Sequence, residues 1–207
     1  MKEFLRKFPQ LKIIFVYLVF YFTFFLYLES RDIVIFNTTT IIDSYIPFCE
    51  YFVVFYLFWF VYVIFGVLYF TFIEPSKFNI MAKYLMLGMT ICLIIDFILP
   101  NGISLRPQLM NENIFQVIVS FIYSLDTPTN VFPSIHVYNS LIIGYGLHYS
   151  LLLKNKTFLK LVNILIVILI CLSTVMLKQH AILDVIAAFI LAIIMIKSVN
   201  KKEISEK

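Results

Sequence analysis

Charge is scarce in this sequence of 207 residues: Asp, Glu, Lys and Arg make up 14%, against about a quarter in a soluble domain. With 62% hydrophobic residues and a mean hydropathy of +0.97, a water-soluble globule is excluded. Glycine is scarce too, at 5 residues, so neither a Gly-rich phosphate loop nor a collagen-like period is available. Three cysteines, Cys49, Cys92 and Cys171, lie in apolar runs without Cys-x-x-Cys pairing and read as small buried hydrophobes, not as a disulfide framework. No internal repeat or low-complexity tract is present, and 23 Phe with 13 Tyr argue against intrinsic disorder.

What the chain does have is a series of long apolar runs, at 13–28, 48–73, 80–99, 135–153, 158–177 and 180–197. Each is long enough, or nearly so, to cross about 30 Å of hydrocarbon. They predict an all-α, polytopic membrane protein: six transmembrane helices in one bundle, forming a single integral membrane domain over residues 1–207. Glu29-Ser30-Arg31-Asp32 follows the first run where a cleavage site would need small residues, so that run reads as an anchor. The stretch 112–124 is apolar but too short to cross, and predicts a short interfacial helix in the outer loop between spans three and four.

Charge placement orients the bundle. With both termini cytoplasmic, 13 of the 16 Lys and Arg fall on the inner side, including Lys2, Arg6, Lys7, Lys12, Lys77, Lys83, Lys154, Lys156, Lys160, Lys197, Lys201, Lys202 and Lys207. A multi-pass protein of a bacterial-type plasma membrane follows. The basic inner rim accounts for the net charge of +4 by facing anionic lipid, and no nucleic-acid partner is implied.

Three cations stay outside, Arg31, Arg106 and Lys178, and two of them gather near reactive groups. Arg106 follows the third span, and Lys178 precedes His180 where the fifth span turns into the sixth. Ser134 and His136 open the fourth span in the same layer, where the helix N-termini of spans four and six attract anions. His180 and Asp184 are four apart, hence on one helical face, where a carboxylate can orient an imidazole. An ionisable group in the membrane is costly, which makes Asp184 a functional candidate. Together these residues read as an extracytoplasmic phosphate site with nucleophilic chemistry.

Arg106-Pro107, then Pro133-Ser134-Ile135-His136, then Ser173-x6-His180-x3-Asp184 resemble, in order and spacing, the type 2 phosphatidic acid phosphatase superfamily, over approximately residues 80–197. The resemblance implies metal-independent phosphotransfer without a cofactor. His180 attacks phosphorus, Asp184 orients its imidazole, and His136 protonates the departing lipid oxygen. Arg106, Ser134, Lys178 and Ser173 bind the phosphate, and the partner is a lipid phosphate or isoprenyl pyrophosphate. Two positions depart from the pattern: Leu99 stands where the family has Lys, and Thr174 where it has Arg. The second departure is also a feature of the inositol phosphorylceramide synthase-like branch, in which an alcohol accepts the phospho-headgroup, so phosphatase and lipid phosphotransferase both stay open.

Blander readings stand beside these. His148, twelve residues after His136, lies about 18 Å away along the helix and belongs to no shared site. Arg106 can anchor headgroups, Lys178 can snorkel, and Ser134 can be a helix N-cap. Asp96 can line the site, and Asp126 reads as an Asx-type turn residue. A zinc site of His136, His180 and Asp184 is disfavoured by the cations in the same layer. A lipid transporter using those cations as a headgroup grip is the non-enzyme alternative, but Gly66, Gly88, Gly144 and Gly146 form no matched pair of helix breaks.

Overall fold

The computed structural model describes residues 8–31, 33–110 and 112–198. Lys2, Arg6, Lys7, Lys201, Lys202 and Lys207, which carry part of the charge argument, lie outside the described residues.

The described elements, in chain order, are α1 (Gln10–Glu29), β1 (Phe36–Asn37), two 3-10 turns (Ile41–Tyr45 and Glu50–Phe52), α2 (Val53–Phe72), α3 (Pro75–Ile98), β2 (Asn101–Gly102), α4 (Ile114–Leu125), α5 (Ile135–His148), α6 (Thr157–Met176) and α7 (Ile182–Lys197). By length and composition four helices can cross a membrane: α1, α2 with its leading turn, α3 and α6. The six expected spans thus divide into four of this length and two shorter helices in the same bundle, α5 with 14 residues and α7 with 16, or about 21 and 24 Å.

Both shorter helices have a local cause. The apolar run 135–153 stops being helical at His148 because the far-end turn finds other partners. Glu74 Oε2 accepts the Leu151 N–H at 3.1 Å, and the Tyr69 hydroxyl accepts that of Leu152 at 3.0 Å. Glu74 also pairs with Lys77 at 2.7 Å, and Lys77 donates to the Tyr149 carbonyl. Lys77, counted in the basic inner rim, is a buried, paired residue. At the other end, Lys178–Ala181 form the turn that precedes α7.

Cap chemistry sets several starts. Pro75 opens α3 at a position where no N–H is needed. Asn113 accepts from Gln116 N at 3.0 Å to start α4, and Ser134 accepts from Val137 N at 3.4 Å to start α5. The α4 segment corresponds to the apolar stretch 112–124, and its Val119 and Ile122 pack against Val53, Tyr56 and Leu177.

The centre of the bundle is α5, which packs against α2, α3, α6 and α7. It buries Val137, Tyr138, Ile142 and Ile143 on all sides, as a helix apolar all round must. Tyr138 lies over Gly88 of α3, where an added Cβ would come within 2.0 Å of the ring, and its hydroxyl donates to the Tyr84 carbonyl at 2.7 Å. A polar tie joins three helices: Tyr62 donates to Asn163, and Asn163 donates to the Gly144 carbonyl.

Over the end that holds the histidines lies a layer of loops. β1 and β2 pair in parallel, and Gly102 bridges Thr129. Asn101 fills its carboxamide capacity there. Its Oδ1 accepts from Val131 N (2.8 Å) and Phe132 N (2.9 Å), and its Nδ2 donates to Asp96 Oδ1 (2.7 Å) and the Leu99 carbonyl (3.0 Å). The segment entering the Pro133-Ser134-Ile135-His136 motif is thereby fastened to the end of α3.

Candidate active site

Five residues end α6 and start α7, and they carry most of the chemistry. The Thr174 carbonyl accepts from Gln179 N and His180 N, and Lys178 takes φ 52°, so α6 closes in a left-handed C-terminal motif without the usual glycine. Asp184 Oδ2 accepts from Ala181 N at 2.7 Å, and Asp43 Oδ1, from the segment between α1 and α2, accepts from Ile182 N at 2.8 Å. The sequence expectation was an anion at this helix N-terminus, and the structure supplies two of the chain's own carboxylates. The start of α5 is tied to the same turn, since Ser134 N donates to the Asp184 carbonyl at 3.2 Å.

His180 is buried, with Nδ1 3.0 Å from the Val131 carbonyl and 3.5 Å from Asp184 Oδ2. A carbonyl only accepts, so Nδ1 carries the proton and the neutral ring keeps its lone pair on Nε2. Val131 therefore fixes the tautomer, while Asp184 adds negative charge at ion-pair distance. The His136 ring centroid is 5.6 Å from that of His180, with the planes at 60°. His136 packs against Tyr56 (4.6 Å) and Trp59 (4.3 Å) of α2, and its Nδ1 is buried without a hydrogen-bond partner.

Both imidazoles border one cavity of about 790 Å³, largely apolar, which continues past Phe70, Phe78 and Met81. Asp96, Asp126, Asn139 and Gln179 border it as well.

The expected phosphate-binding residues are placed differently. Arg106 spends both amino groups on carbonyl oxygens: Nη1 donates to Asp126 (2.7 Å) and Tyr123 (3.3 Å), and Nη2 to Thr127 (3.1 Å) and to Gln179 Oε1. Its guanidinium also covers the Tyr123 ring at 4.4 Å. Lys178 Nζ donates to the carbonyls of Asp43 (2.8 Å) and Ile46. Ser134 Oγ caps α5, and Ser173 Oγ donates to Ile170 O at 2.6 Å within α6. None of these four residues, nor Asp184, borders the cavity. Burial lowers the Arg106 and Lys178 cations from their ordinary values and raises the Asp126 carboxyl.

Residues the sequence reading passed over lie closer. Gln179 faces Arg106 with Oε1, because Arg offers only donors, and its Nε2 is buried without a partner at the cavity wall. Asn139 Oδ1 is likewise buried and unpartnered. Asp126, read as a turn residue, accepts from the Tyr56 hydroxyl at 3.2 Å and lines the cavity. The available signal was helical spacing for Asn139, three residues past His136; Tyr56 and Trp59 gave none.

Residues 81–202, more than half of the chain, match the sequence model of the PAP2 superfamily. The chain belongs to the PAP2 superfamily. Neither the search of curated proteins nor that of solved structures returned a match. PAP2 members are phosphatases and related phosphotransferases acting on lipid-like substrates. The matched residues include His136, His180 and Asp184, whereas Tyr56, Trp59 and Asp43 precede them. Among the described residues, no group of three or more His, Cys, Asp and Glu side chains is arranged to hold a metal ion.

Proposed function

We propose that the protein is an integral membrane enzyme that cleaves a lipid phosphate ester or anhydride through a phosphohistidine. His180 Nε2 attacks phosphorus, His136 gives a proton to the departing lipid oxygen, and water or an alcohol then takes the phosphoryl group from His180. The observation that carries this reading is the pair of imidazoles 5.6 Å apart on one cavity, with His180 Nδ1 held by the Val131 carbonyl. Arg106 acts on the phosphoryl oxygens through Gln179, whose amide it polarises, while Ser134, Ser173 and Lys178 hold the backbone that presents the histidines.

Six spans, an interfacial α4 and an extracytoplasmic site complete the proposal. The charge distribution supports them: Lys154, Lys156 and Lys160 lie at the end of the bundle opposite His136. Met110, 82% exposed, offers a position where a Met110→Cys variant should label from outside intact cells.

Purified protein should release phosphate from phosphatidic acid or an isoprenyl pyrophosphate, or diacylglycerol from a phosphodiester lipid, with EDTA present. His180→Ala should abolish every such activity. Turnover that survives His180→Ala would refute the mechanism. A phosphotransferase is the second reading, supported by Thr174 in place of the family's Arg, and it predicts higher turnover when an alcohol acceptor is added.

A further inference from the structure

The two imidazoles are held unequally. His180 has its Nδ1 on the Val131 carbonyl at 3.0 Å, whereas His136 Nδ1 is buried with no partner. A ring that gives a proton away from Nε2 keeps another on Nδ1: as an imidazolium it carries both, and afterwards it is neutral with the second still in place. In the reaction proposed above His136 Nδ1 is therefore a donor at every stage, and a buried donor needs an acceptor.

One acceptor within a helical turn is equally without a partner. Asn139 follows His136 by three residues on α5, so their side chains share a face with Cβ atoms about 5–6 Å apart. Both residues border the cavity; Asn139 is 1% exposed, and its Oδ1 is buried and unpartnered. The carboxyls on that cavity have donors of their own. Asp126 takes the Tyr56 hydroxyl at 3.2 Å, and Asp96 takes Asn101 Nδ2 at 2.7 Å. The remaining titratable groups in contact with the ring are Tyr56 and His180. Trp59 Nε1 is a further buried donor without a partner, and an amide oxygen with two lone pairs can serve both. The imidazolium charge is also provided for, because the aromatic rings of Tyr56 and Trp59 lie 4.6 and 4.3 Å from the imidazole, a distance at which they attract a cation.

We infer that Asn139 is the positioning residue of His136: its Oδ1 takes the Nδ1 proton, across one water or by a small turn of the carboxamide, and leaves Nε2 as the nitrogen that exchanges protons with the substrate. This rests on the phosphohistidine reading and adds to it the group that sets the second imidazole. In the first step a bond forms between His180 Nε2 and phosphorus, the bond from phosphorus to the lipid oxygen breaks, and the Nε2 proton of His136 makes the free alcohol. His136 is then neutral, with its proton on Nδ1 facing Asn139 and a lone pair on Nε2. In the second step water or an alcohol bonds to phosphorus, its proton passes to that lone pair, and the N–P bond breaks, which restores the imidazolium. A neutral ring with its proton on Nε2 could not serve as this base.

The test uses the full chain in detergent with its three histidines labelled with ¹⁵N, the His136 signals being assigned by their loss in His136→Gln. Nitrogen NMR reads the tautomer directly. Neutral His136 should be the Nδ1–H form in the parent and in Asn139→Asp, and chiefly the Nε2–H form in Asn139→Leu. With phosphatidic acid as substrate, Asn139→Leu should lower kcat about tenfold or more with KM little changed. Asn139→Asp should keep more of the rate and move the upper limb of the kcat/KM profile to higher pH, since a carboxylate favours the imidazolium. An Nε2–H ring in the parent, or an Nδ1–H ring that persists in Asn139→Leu, would overturn the inference. Equal losses in the Leu and Asp variants with an unmoved limb would overturn it as well, by showing a role in packing alone. Should Asn139→Leu not fold, the parent's tautomer and the Asp variant's limb decide. Turnover that survives His180→Ala would strike the phosphohistidine reading instead, and it leaves the tautomer result intact.

Discussion

Asn101 and His180 are joined through Val131: the Asn101 carboxamide accepts the Val131 N–H at 2.8 Å, and the Val131 carbonyl holds His180 Nδ1 at 3.0 Å. The tautomer of His180 therefore depends on a residue one hydrogen bond beyond the carbonyl that holds its ring. Asn101→Ala should leave the N–H groups of Val131 and Phe132 without their acceptor, each costing about 1–3 kcal/mol. Turnover should fall by roughly two orders of magnitude as His180 loses its alignment. Thermal unfolding and initial rates check the two effects separately; a variant as active as the parent would show that Val131 does not position the ring.

Tyr56 and Trp59, three residues apart on α2, both pack their rings against His136. Trp59→Leu should lower kcat by about 2–10-fold, as loss of one aromatic contact predicts, with KM little changed, and Trp59→Phe should restore most of it. Equal rates for the Leu and Phe variants would remove the case for stacking.

Lys178 combines a left-handed backbone with a buried tether to the segment between α1 and α2. Lys178→Ala loses the tether and keeps the backbone strain, whereas Lys178→Gly loses the tether and relieves the strain. Glycine should be the more stable of the two by about 1 kcal/mol, with activity following the same order. Identical losses in both, expressed only in KM, would instead point to direct phosphate binding.

Burial raises the Asp126 carboxyl, so the folded state holds this proton at pH values where the unfolded chain has released it. The protonated form has no charge to desolvate, and stability falls as pH rises from about 4 toward the raised folded value. Asp126→Asn should flatten that part of the stability profile. A difference curve between variant and parent that is flat with pH would mean that no such proton is retained.

Much of the site was legible because its signals are local. His180 and Asp184 share a helical face by spacing alone, and Pro133-Ser134 announces both a turn and a cap ahead of His136. The destinations of Arg106 and Lys178 were not legible. Long side chains can reach backbone carbonyls far along the chain, and Lys178 finds them more than 130 residues away, at Asp43 and Ile46. The shortness of α5 was hidden for a similar reason: the apolar residues after His148 look helical, but Glu74 and Tyr69 offer their N–H groups partners outside a helix. Gln179 carries no periodicity and no charge, and only the orientation imposed by Arg106 shows what its amide nitrogen can do.

Asp43 caps the first turn of α7 and offers its carbonyl to Lys178, so a single residue near the amino-terminal end fastens the turn that carries His180 twice. The superfamily signature begins only at Met81. A fragment cut at that point would inherit His136 and His180 and lose the clasp on the turn between α6 and α7, which makes the 80 residues ahead of it a working part of the site and not merely its mooring.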